Sequence, residues 1–393
     1  MKSINLALCF VNEKNYKKTL FFSIKIIIFR KNKFYMGKFK DLFARIIDVA
    51  DDKIDEIKHE VKKKLDLFDP IEILVYTQYA SENKLYVFGR VLENKNIGKA
   101  ENESSTWDNL VSSYKRINSN EVANANLQFI FQAEIFTTKS NEEGYFSFEI
   151  TPKIALEYEE KPLSVEVTLL DAPIPFQAGT KGIGEIFLTP PSAEFGVISD
   201  IDDTIVVTDA TSLLGMAKST FLENAQTRIA FEGVADWYQA LKKGKSGTND
   251  NPFFYVSSSP WNLFDLLYDF LEINKIPNAP ILLQDYGFDD KKMLVGTHGE
   301  HKLTAIRKIL NTYPNLPFVL IGDSGQQDPV IYTQIFKEFP KRISAIYIRD
   351  AKVEKTAQTV RDLIAEVAKE GIEIVLFPHS KDAWADCQKK GLL

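Results

Sequence analysis

The spacing of hydrophobic residues divides the chain into regions of different period. Over residues 39–67, apolar positions recur mostly every three or four residues between charged ones. This predicts an amphipathic helix that packs on its own protein or on a second copy, with contact with a membrane as the alternative. Over residues 72–188 the period changes to two, as in 127–135, 146–150 and 163–167. Short alternating stretches separated by turn-forming residues predict an antiparallel β-sandwich.

After Pro190-Pro191 the pattern changes again, and short apolar stretches alternate with helical ones. The predicted strands are 195–201, 253–257, 281–284, 318–321, 343–348 and 372–377. The helical patterns lie at 234–241, 261–271, 302–310, 356–369 and 382–390. Continuously apolar strands between helices predict a parallel sheet with helices on both faces, and ligands of such folds gather at the carboxyl ends of the strands.

These patterns predict four segments along the chain. They are a basic leader at 1–35, an amphipathic helix at 36–68, a β-sandwich domain at 69–190 and an α/β domain at 191–393. The predicted fold class is therefore α/β, preceded by an antiparallel sandwich and an N-terminal helix.

Composition narrows the class of protein. Hydrophobic residues make up 45% of the chain and charged residues 26%, which excludes a mostly disordered chain and a membrane protein with many spans. The net charge of −6 gives no electrostatic reason to expect nucleic-acid binding. The two cysteines, Cys9 and Cys387, form neither a disulfide framework nor a zinc motif. These features favour a reducing compartment and predict a cytoplasmic protein.

The leader differs from the rest of the chain in charge. Residues 1–35 contain seven Lys and one Arg against a single acid, Glu13. The apolar stretch 20–29 is shorter than the roughly 20 residues of a membrane span, and no small-residue cleavage site follows it. We expect translation to start at Met36, so that the leader is not native sequence. The alternative is a basic segment that lies on a membrane surface.

Acidic residues follow two of the predicted parallel strands. Asp200 and Asp202 come directly after the first strand, and Asp323 and Asp328 follow the fourth. If these strands are neighbours, four carboxylates meet at one edge of the sheet. Clustered carboxylates repel one another unless a cation lies among them, and hard oxygen ligands suit Mg²⁺. Asp203, between them in sequence, is interpreted as a structural turn residue.

Other polar residues are placed to hold a phosphate. The second predicted strand ends in Ser257-Ser258-Ser259, whose hydroxyls can donate hydrogen bonds to phosphate oxygens, and the pattern leaves open which serine does so. Lys302 is expected at the start of a helix, where its charge would balance a developing negative charge. Lys291 and Lys292 are the competing candidates.

Together these residues resemble the four motifs of the haloacid dehalogenase (HAD) superfamily of phosphatases. The motifs occur in order as Asp200-x-Asp202-x-Thr204, Ser257, Lys302 and Gly322-Asp323 with Asp328. More narrowly, the stretches 199–205, 255–263, 320–329 and 347–350 look like the catalytic domain of the actin-patch-associated phosphatidate phosphatase family. The resemblance covers about residues 190–393 and implies a HAD-like Rossmannoid fold for that part.

The resemblance also implies roles for these residues. Asp200 would be the nucleophile that forms an aspartyl phosphate, and Asp202 the general acid and base. Thr204, Ser257 and Lys302 would orient the phosphoryl group. Mg²⁺ would be bound by the set Asp200, Asp202 through its carbonyl, Asp323 and Asp328.

The substrate that the resemblance implies is phosphatidate, hydrolysed to diacylglycerol and phosphate in lipid metabolism. Such a protein would contact a phospholipid and, peripherally, a membrane. One alternative is a HAD phosphatase that acts on a soluble phosphate ester or a phosphoprotein. The other is a non-catalytic protein that binds lipid or a partner, against which the presence of both Asp200 and Asp202 argues.

Overall fold

The fold was obtained as a computed structural model. It describes residues 68–93, 120–206, 230–284, 298–351, 354–371 and 373–393. Residues 70–393 form one compact unit. The predicted leader and the predicted amphipathic helix lie outside the described residues, and the domain boundary near residue 190 stays a prediction.

A nine-stranded, largely antiparallel sheet makes up the first part of this unit. Its strands are β1 (Ile71–Tyr76), β2 (Gln78–Ser81), β3 (Lys84–Glu93), β4 (Asn120–Glu121), β5 (Asn126–Phe131), β6 (Glu134–Lys139), β7 (Tyr145–Ile150), β8 (Leu163–Asp171) and β9 (Lys181–Leu188). They run in the order β1-β3-β2-β9-β8-β5-β6, and β4 and β7 pair with β3. Among the pairs described, β2 and β9 are parallel and the others antiparallel. An antiparallel sheet in this part of the chain is confirmed, and its arrangement as a β-sandwich stays a prediction.

One predicted strand is in fact a hairpin. The alternating stretch 127–135 is divided between β5 and β6 by a turn at Gln132 and Ala133, whose φ angles are 47° and 61°. Ile130 pairs directly with Ile135, so Ile135 lies on the exposed face with Ile130 and not on the buried face of Leu127 and Phe129. The alternation over 127–135 therefore does not mark one face of a single strand. The Gln132 side chain holds the turn, since Nε2 donates to the Ile154 carbonyl (2.7 Å) and Oε1 accepts from the Ile154 N–H (2.9 Å). Turn residues with left-handed backbone angles are usually Gly, Asn or Asp. Because Gln132 and Ala133 are none of these, the sequence pattern did not indicate a turn here.

The second part is the predicted parallel sheet, which is confirmed. Its six strands are β10 (Gly196–Ser199), β11 (Phe253–Pro260), β12 (Ile281–Gln284), β13 (Phe318–Asp323), β14 (Ile343–Arg349) and β15 (Ile374–Phe377), in the order β12-β11-β10-β13-β14-β15. The helices described are α1 (Val234–Lys243), α2 (Phe264–Ile273), α3 (His298–Thr312), α4 (Asp328–Glu338), α5 (Glu354–Ala368) and α6 (Ser380–Lys389). The sequence patterns predicted all of these helices except α4.

Helices cover both faces of the parallel sheet. The apolar residues of α1, α2 and α6, among them Trp237 and Cys387, pack in one core cluster. Those of α3, α4 and α5, among them Ile306 and Tyr332, pack in another. Of the helices described, none has the length and apolar character that a membrane span requires.

Aromatic rings connect the antiparallel sheet to the parallel one. The centroid of the Tyr76 ring lies 4.7 Å from that of Trp261 and 4.7 Å from that of Phe264. Phe88 lies 4.7 Å from Trp261. Trp261 belongs to a short 3₁₀ turn, Trp261–Leu263, which directly follows β11. We refer to Tyr76, Phe88, Trp261 and Phe264 as the aromatic cluster.

Candidate active site

The central strands of the parallel sheet bring the predicted acids together. Strands β10 and β13 are neighbours, with Ser199 paired to Ile321, so the residues that follow them lie side by side. The Asp200 N–H donates to the Ile321 carbonyl (2.9 Å), which extends the pairing by one residue. Carboxylate oxygens of Asp200, Asp323 and Asp328 lie within 4.8 Å of one another, and all three residues are buried. We refer to these three residues as the acid cluster.

Lys302 lies among the carboxylates of the acid cluster. Its Nζ is 2.9 Å from Asp200 Oδ1 and 2.6 Å from Asp328 Oδ1, and its side chain is 2% exposed. Burial lowers the pKa of Lys302, but the two carboxylates outweigh burial and raise the pKa above its usual range. The side chain therefore carries a positive charge. Lys302 was expected at a helix start, but α3 begins at His298, which places it in the second turn.

Burial changes the protonation of the acids themselves. It raises the pKa of Asp200 well above its usual range, an effect that Lys302 opposes and the charge of Asp328 increases. Burial, together with the charge of Asp328, also raises the pKa of Asp323 to about 8. A carboxylate that is buried near others ionises fully only when a nearby cation compensates its charge.

The loop after β13 fixes the second pair of acids. Asp323 Oδ1 accepts hydrogen bonds from the backbone N–H groups of Gly325 (2.6 Å) and Gln326 (3.0 Å). Asp328 Oδ2 accepts one from the Asp323 N–H (3.2 Å). A Cβ atom on Gly322 would lie 2.5 Å from Asp328 Oδ2, so only glycine allows the Asp328 carboxylate to approach this closely.

The Asp202 carboxylate is held separately from the acid cluster. Its Oδ2 accepts hydrogen bonds from Ser257 Oγ (2.7 Å) and Ser259 Oγ (3.0 Å), and burial raises its pKa. Its Oδ1 is buried and has no hydrogen-bond partner among the described residues. The Asp202 backbone carbonyl accepts a hydrogen bond from Gln326 Nε2 (3.3 Å).

The turn after β10 orients Thr204 toward Asp200. Asp203 has a φ of 58°, a left-handed conformation that Asp adopts more readily than most residues, and its N–H donates to the Val206 carbonyl (3.0 Å). Thr204 Oγ1 then lies 3.3 Å from Asp200 Oδ2 as a donor. This geometry fits the interpretation of Asp203 as a turn residue.

The structure places two further residues, Gln326 and Arg349, at the site that the sequence did not single out, and it adds Ser259, one of the three serines between which the sequence could not choose. Ser259 and Gln326 contact Asp202 as described above. Arg349, 2% exposed, donates from Nε to the Thr204 carbonyl (3.0 Å) and from Nη2 to Ser380 Oγ (3.0 Å). Its guanidinium lies 4.0 Å from the centroid of Phe231, and burial lowers its pKa to about 10. In the sequence, Arg349 could have been noticed only as part of the family-like stretch 347–350. Nothing in that stretch indicates that Arg349 contacts Thr204.

The site has the features that a divalent cation requires. Three buried carboxylates converge, and hard oxygen ligands suit a cation such as Mg²⁺. Asp323 Oδ2, like Asp202 Oδ1, is buried and unpartnered within the part of the chain that the structure describes. Buried carboxylate oxygens without partners are costly, which makes a bound cation a good fit to this arrangement. The alternative lysines, Lys291 and Lys292, lie outside the described residues.

Comparison with known proteins gives a consistent result for this part of the chain. Residues 195–350 match the family model described as "Phosphatidate phosphatase APP1, catalytic domain". Phosphatidate phosphatase APP1 of Saccharomyces cerevisiae is 35% identical over 199 residues, which cover 50% of this chain and 32% of that protein. An uncharacterized protein of Schizosaccharomyces pombe is 28% identical over 217 residues, covering 55% of this chain and 34% of that one.

These matches are partial in length. The chain spans about a third of the length of the two curated relatives. Among solved structures, a carbohydrate acetylesterase from Xanthomonas citri aligns with a TM-score of 0.22 and 9% identity, over 63% of this chain and 57% of that one, which is too low to support an argument. The segment that carries the acid cluster therefore resembles the catalytic domain of the phosphatidate phosphatase family named above.

Proposed function

We propose that this chain is a Mg²⁺-dependent HAD-type phosphatase that hydrolyses phosphatidate to diacylglycerol and phosphate. The observation that supports this most is the acid cluster with Lys302 inside it, within a segment that matches a phosphatidate phosphatase catalytic domain. Burying these charges is expensive, and a structural role would not require it.

Asp200 is the nucleophile in the proposed reaction. A carboxylate oxygen forms a bond to phosphorus while the bond between phosphorus and the alcohol oxygen breaks, which leaves an aspartyl phosphate. Lys302 and Thr204 hold the two carboxylate oxygens of Asp200 and so fix the direction of attack. Water then hydrolyses the aspartyl phosphate and regenerates Asp200.

Asp202 transfers the protons of both steps. Burial raises its pKa, which favours the protonated form that donates to the departing alcohol oxygen. The resulting carboxylate then accepts a proton from the attacking water. Ser257 and Ser259 both bind Oδ2, so Oδ1 is the atom left to exchange the proton.

Mg²⁺ would be held by the carboxylates of the acid cluster and by the Asp202 carbonyl, where it would neutralise charge on the phosphoryl oxygens. Binding can be measured without catalysis. After chelation, added Mg²⁺ should raise the thermal midpoint of the wild-type chain and leave that of Asp323→Asn unchanged. An equal rise in both proteins would contradict the assignment of Asp323 as a ligand.

The choice of phosphatidate comes from the relatives, and the geometry is compatible with it. Only 48 residues separate Thr204 from the start of β11, and α1 occupies ten of them, which leaves little chain for a large cap over the site. A site without a large cap would admit a phosphate that remains attached to a large assembly such as a lipid surface. Peripheral membrane contact follows from this substrate, and vesicle flotation of the full chain tests it.

Phosphate release from phosphatidate in mixed micelles, compared with a panel of soluble phosphate esters and phosphopeptides, tests the function. We expect phosphatidate to be preferred and Asp200→Asn to lose at least about a thousandfold in kcat. A preference for a soluble ester would contradict phosphatidate as the substrate but would leave the proposed reaction mechanism in place. Full activity of Asp200→Asn would exclude the mechanism, and a wild-type chain that binds lipid without releasing phosphate would indicate the non-catalytic alternative.

A further inference from the structure

Arg90 is a buried residue of the antiparallel sheet that reaches the parallel part of the molecule. It is 5% exposed. On its own sheet, Nε donates to the Glu143 carbonyl (2.8 Å), Nη2 lies 3.0 Å from Glu121 Oε1, and the guanidinium covers the Tyr145 ring at 4.4 Å. Its Nη1 donates to Asn262 Oδ1 across the contact between the sheets. Three contacts thus hold the guanidinium in place, and the fourth extends to Asn262.

Asn262 belongs to the turn that follows β11. Its neighbour Trp261 is packed in the aromatic cluster, with Tyr76 and Phe88 of the antiparallel sheet against its ring. The turn therefore contacts the antiparallel sheet in two ways, through the hydrogen bond of Asn262 and through the ring of Trp261. The turn is short and directly continues the strand, so its position also sets that of the end of β11.

The end of β11 carries the hydroxyls that hold Asp202. Ser259 lies three residues before Asn262, its N–H donates to Ser257 Oγ (2.9 Å), and its own Oγ lies 3.0 Å from Asp202 Oδ2. A shift of the turn would displace Ser259 and with it the second of the two hydrogen bonds to the Asp202 carboxylate.

We propose that the antiparallel sheet positions the Asp202 carboxylate, through the Arg90–Asn262 contact and Ser259. Ser259 is a positioning residue, since it acts on the reaction through Asp202. This inference rests on the proposed function, which gives Asp202 its role in proton transfer. A misplacement of about 1 Å can cost on the order of a hundredfold in rate, so a partial loss of this support should be measurable in kcat.

A double-mutant cycle on the full-length chain tests whether Asn262 acts on Asp202 through Ser259. Asn262→Ala and Ser259→Ala should each lower kcat about tenfold and change KM for a soluble phosphate ester less than about twofold. If Asn262 acts through Ser259, the double variant should lose little more than Ser259→Ala alone. Ser259→Thr, which keeps the hydroxyl, should recover most of the rate. Losses that multiply in the double variant would overturn the proposal.

A control separates positioning from general loosening of the molecule. Tyr86 OH forms a 3.2 Å hydrogen bond with Thr312 Oγ1, another contact between the antiparallel sheet and the helices of the parallel part. Tyr86→Phe removes this hydrogen bond, and kcat should stay within about twofold of wild type while the thermal midpoint falls as in Asn262→Ala. An equal loss of kcat in Tyr86→Phe would also overturn the proposal.

A structural readout keeps the inference distinct from the proposed function. In a crystal structure of Asn262→Ala, the distance from Ser259 Oγ to Asp202 Oδ2 should exceed the 3.0 Å of the unchanged protein by enough to break the hydrogen bond. An unchanged distance would overturn the positioning role, whatever the activity. A wild-type chain without phosphatase activity would contradict the proposed function, and the distance would still test the positioning.

Discussion

The acid cluster is buried, and so is the aromatic cluster apart from the partly buried Phe88. Both join residues that are distant in sequence, but one consists of charged groups and the other of apolar rings. The aromatic cluster packs rings whose burial is favourable by itself, with centroids 4.7 Å apart at its closest contacts. The acid cluster buries three carboxylates, and Lys302 beside it is 2% exposed. The desolvation of each such charge costs several kcal/mol.

This difference indicates what each region is for. Apolar residues of similar volume would stabilise the edge of the parallel sheet at least as well as the acids and Lys302. Stability alone therefore accounts for the aromatic cluster and leaves the composition of the acid cluster unexplained. Predictions that separate activity from stability test this conclusion directly.

The largest difference between the effect on activity and the effect on stability is expected for Asp202→Asn. The amide keeps the acceptor for Ser257 and Ser259 but cannot transfer a proton, so kcat should fall by roughly a hundredfold to ten-thousandfold. Stability should move in the other direction. Since burial raises the pKa of Asp202 in the folded state, its ionisation costs stability as the pH rises above the unfolded value of 3.8.

Urea unfolding in the presence of a chelator measures this effect. The variant should be more stable than wild type at pH 7, and the difference should disappear near pH 4. A variant that is less stable at pH 7 would show that the buried Asp202 carboxylate contributes to folding, and would weaken the conclusion that the buried acids of the site do not serve stability.

Lys302→Met should have the largest effect on stability. The substitution keeps most of the volume but leaves Asp200 and Asp328 buried without their cation, which should cost about 3–5 kcal/mol of unfolding free energy. Lys308→Met on the same helix is the matched control. Lys308 is 45% exposed and lies 3.9 Å from the Tyr86 ring, so its loss should cost less than about 1 kcal/mol. Equal costs in urea unfolding would contradict the contrast.

The aromatic cluster should tolerate a change that the acid cluster does not. Phe264→Leu keeps an apolar side chain in the contact with Tyr76 and should cost no more than about 1.5 kcal/mol, with kcat within about twofold of wild type. Thermal unfolding and phosphate release measure the two quantities. A loss of activity without a loss of stability would place Phe264 in the same positioning route as Asn262.

The smallest effect is expected for an exposed ion pair on the outer side of the molecule. Arg307 on α3 donates two hydrogen bonds to Glu338 on α4, at 2.8 and 2.7 Å, which lower the pKa of Glu338 from 4.5 to about 2. Its stabilisation is therefore present above pH 4.5 and is lost as the pH falls toward 2. Glu338→Gln should cost less than about 1 kcal/mol at pH 7, and less at pH 3. If Glu338→Gln costs the same unfolding free energy at pH 7 and at pH 3, the charge of Glu338 is not the source of the stabilisation.

The sequence patterns predicted the parallel sheet well because its strands are continuously apolar and bounded by helices. The meeting of Asp200 and Asp323 followed from the rule that parallel strands end at one edge. Helix α4 was missed because its first turn carries Asp328 and Pro329, which were interpreted only as part of the motif that follows the fourth predicted strand. The β5–β6 turn was missed because neither Gln132 nor Ala133 is a typical turn residue.

The contacts around Asp202 could not be predicted in the same way. Ser259 follows the expected serine by two residues and faces the same carboxylate because β11 continues to Pro260 instead of ending at Ser257. The contact of Arg90 with Asn262 joins residues 172 positions apart. Such contacts depend on how two sheets dock, and no local pattern encodes that arrangement.

The turn between β5 and β6 is a place where one substitution could make the protein more stable. Each non-glycine residue in the left-handed region costs roughly 1 kcal/mol, and Ala133, at a φ of 61°, incurs that cost without a side chain that makes a compensating hydrogen bond. Gln132 has such a contact with Ile154 and is better left in place. Glycine at position 133 would relieve the strain in the hairpin at one end of the antiparallel sheet, in a different sheet from the one that carries the acid cluster, which makes it a first choice for raising the stability of the chain.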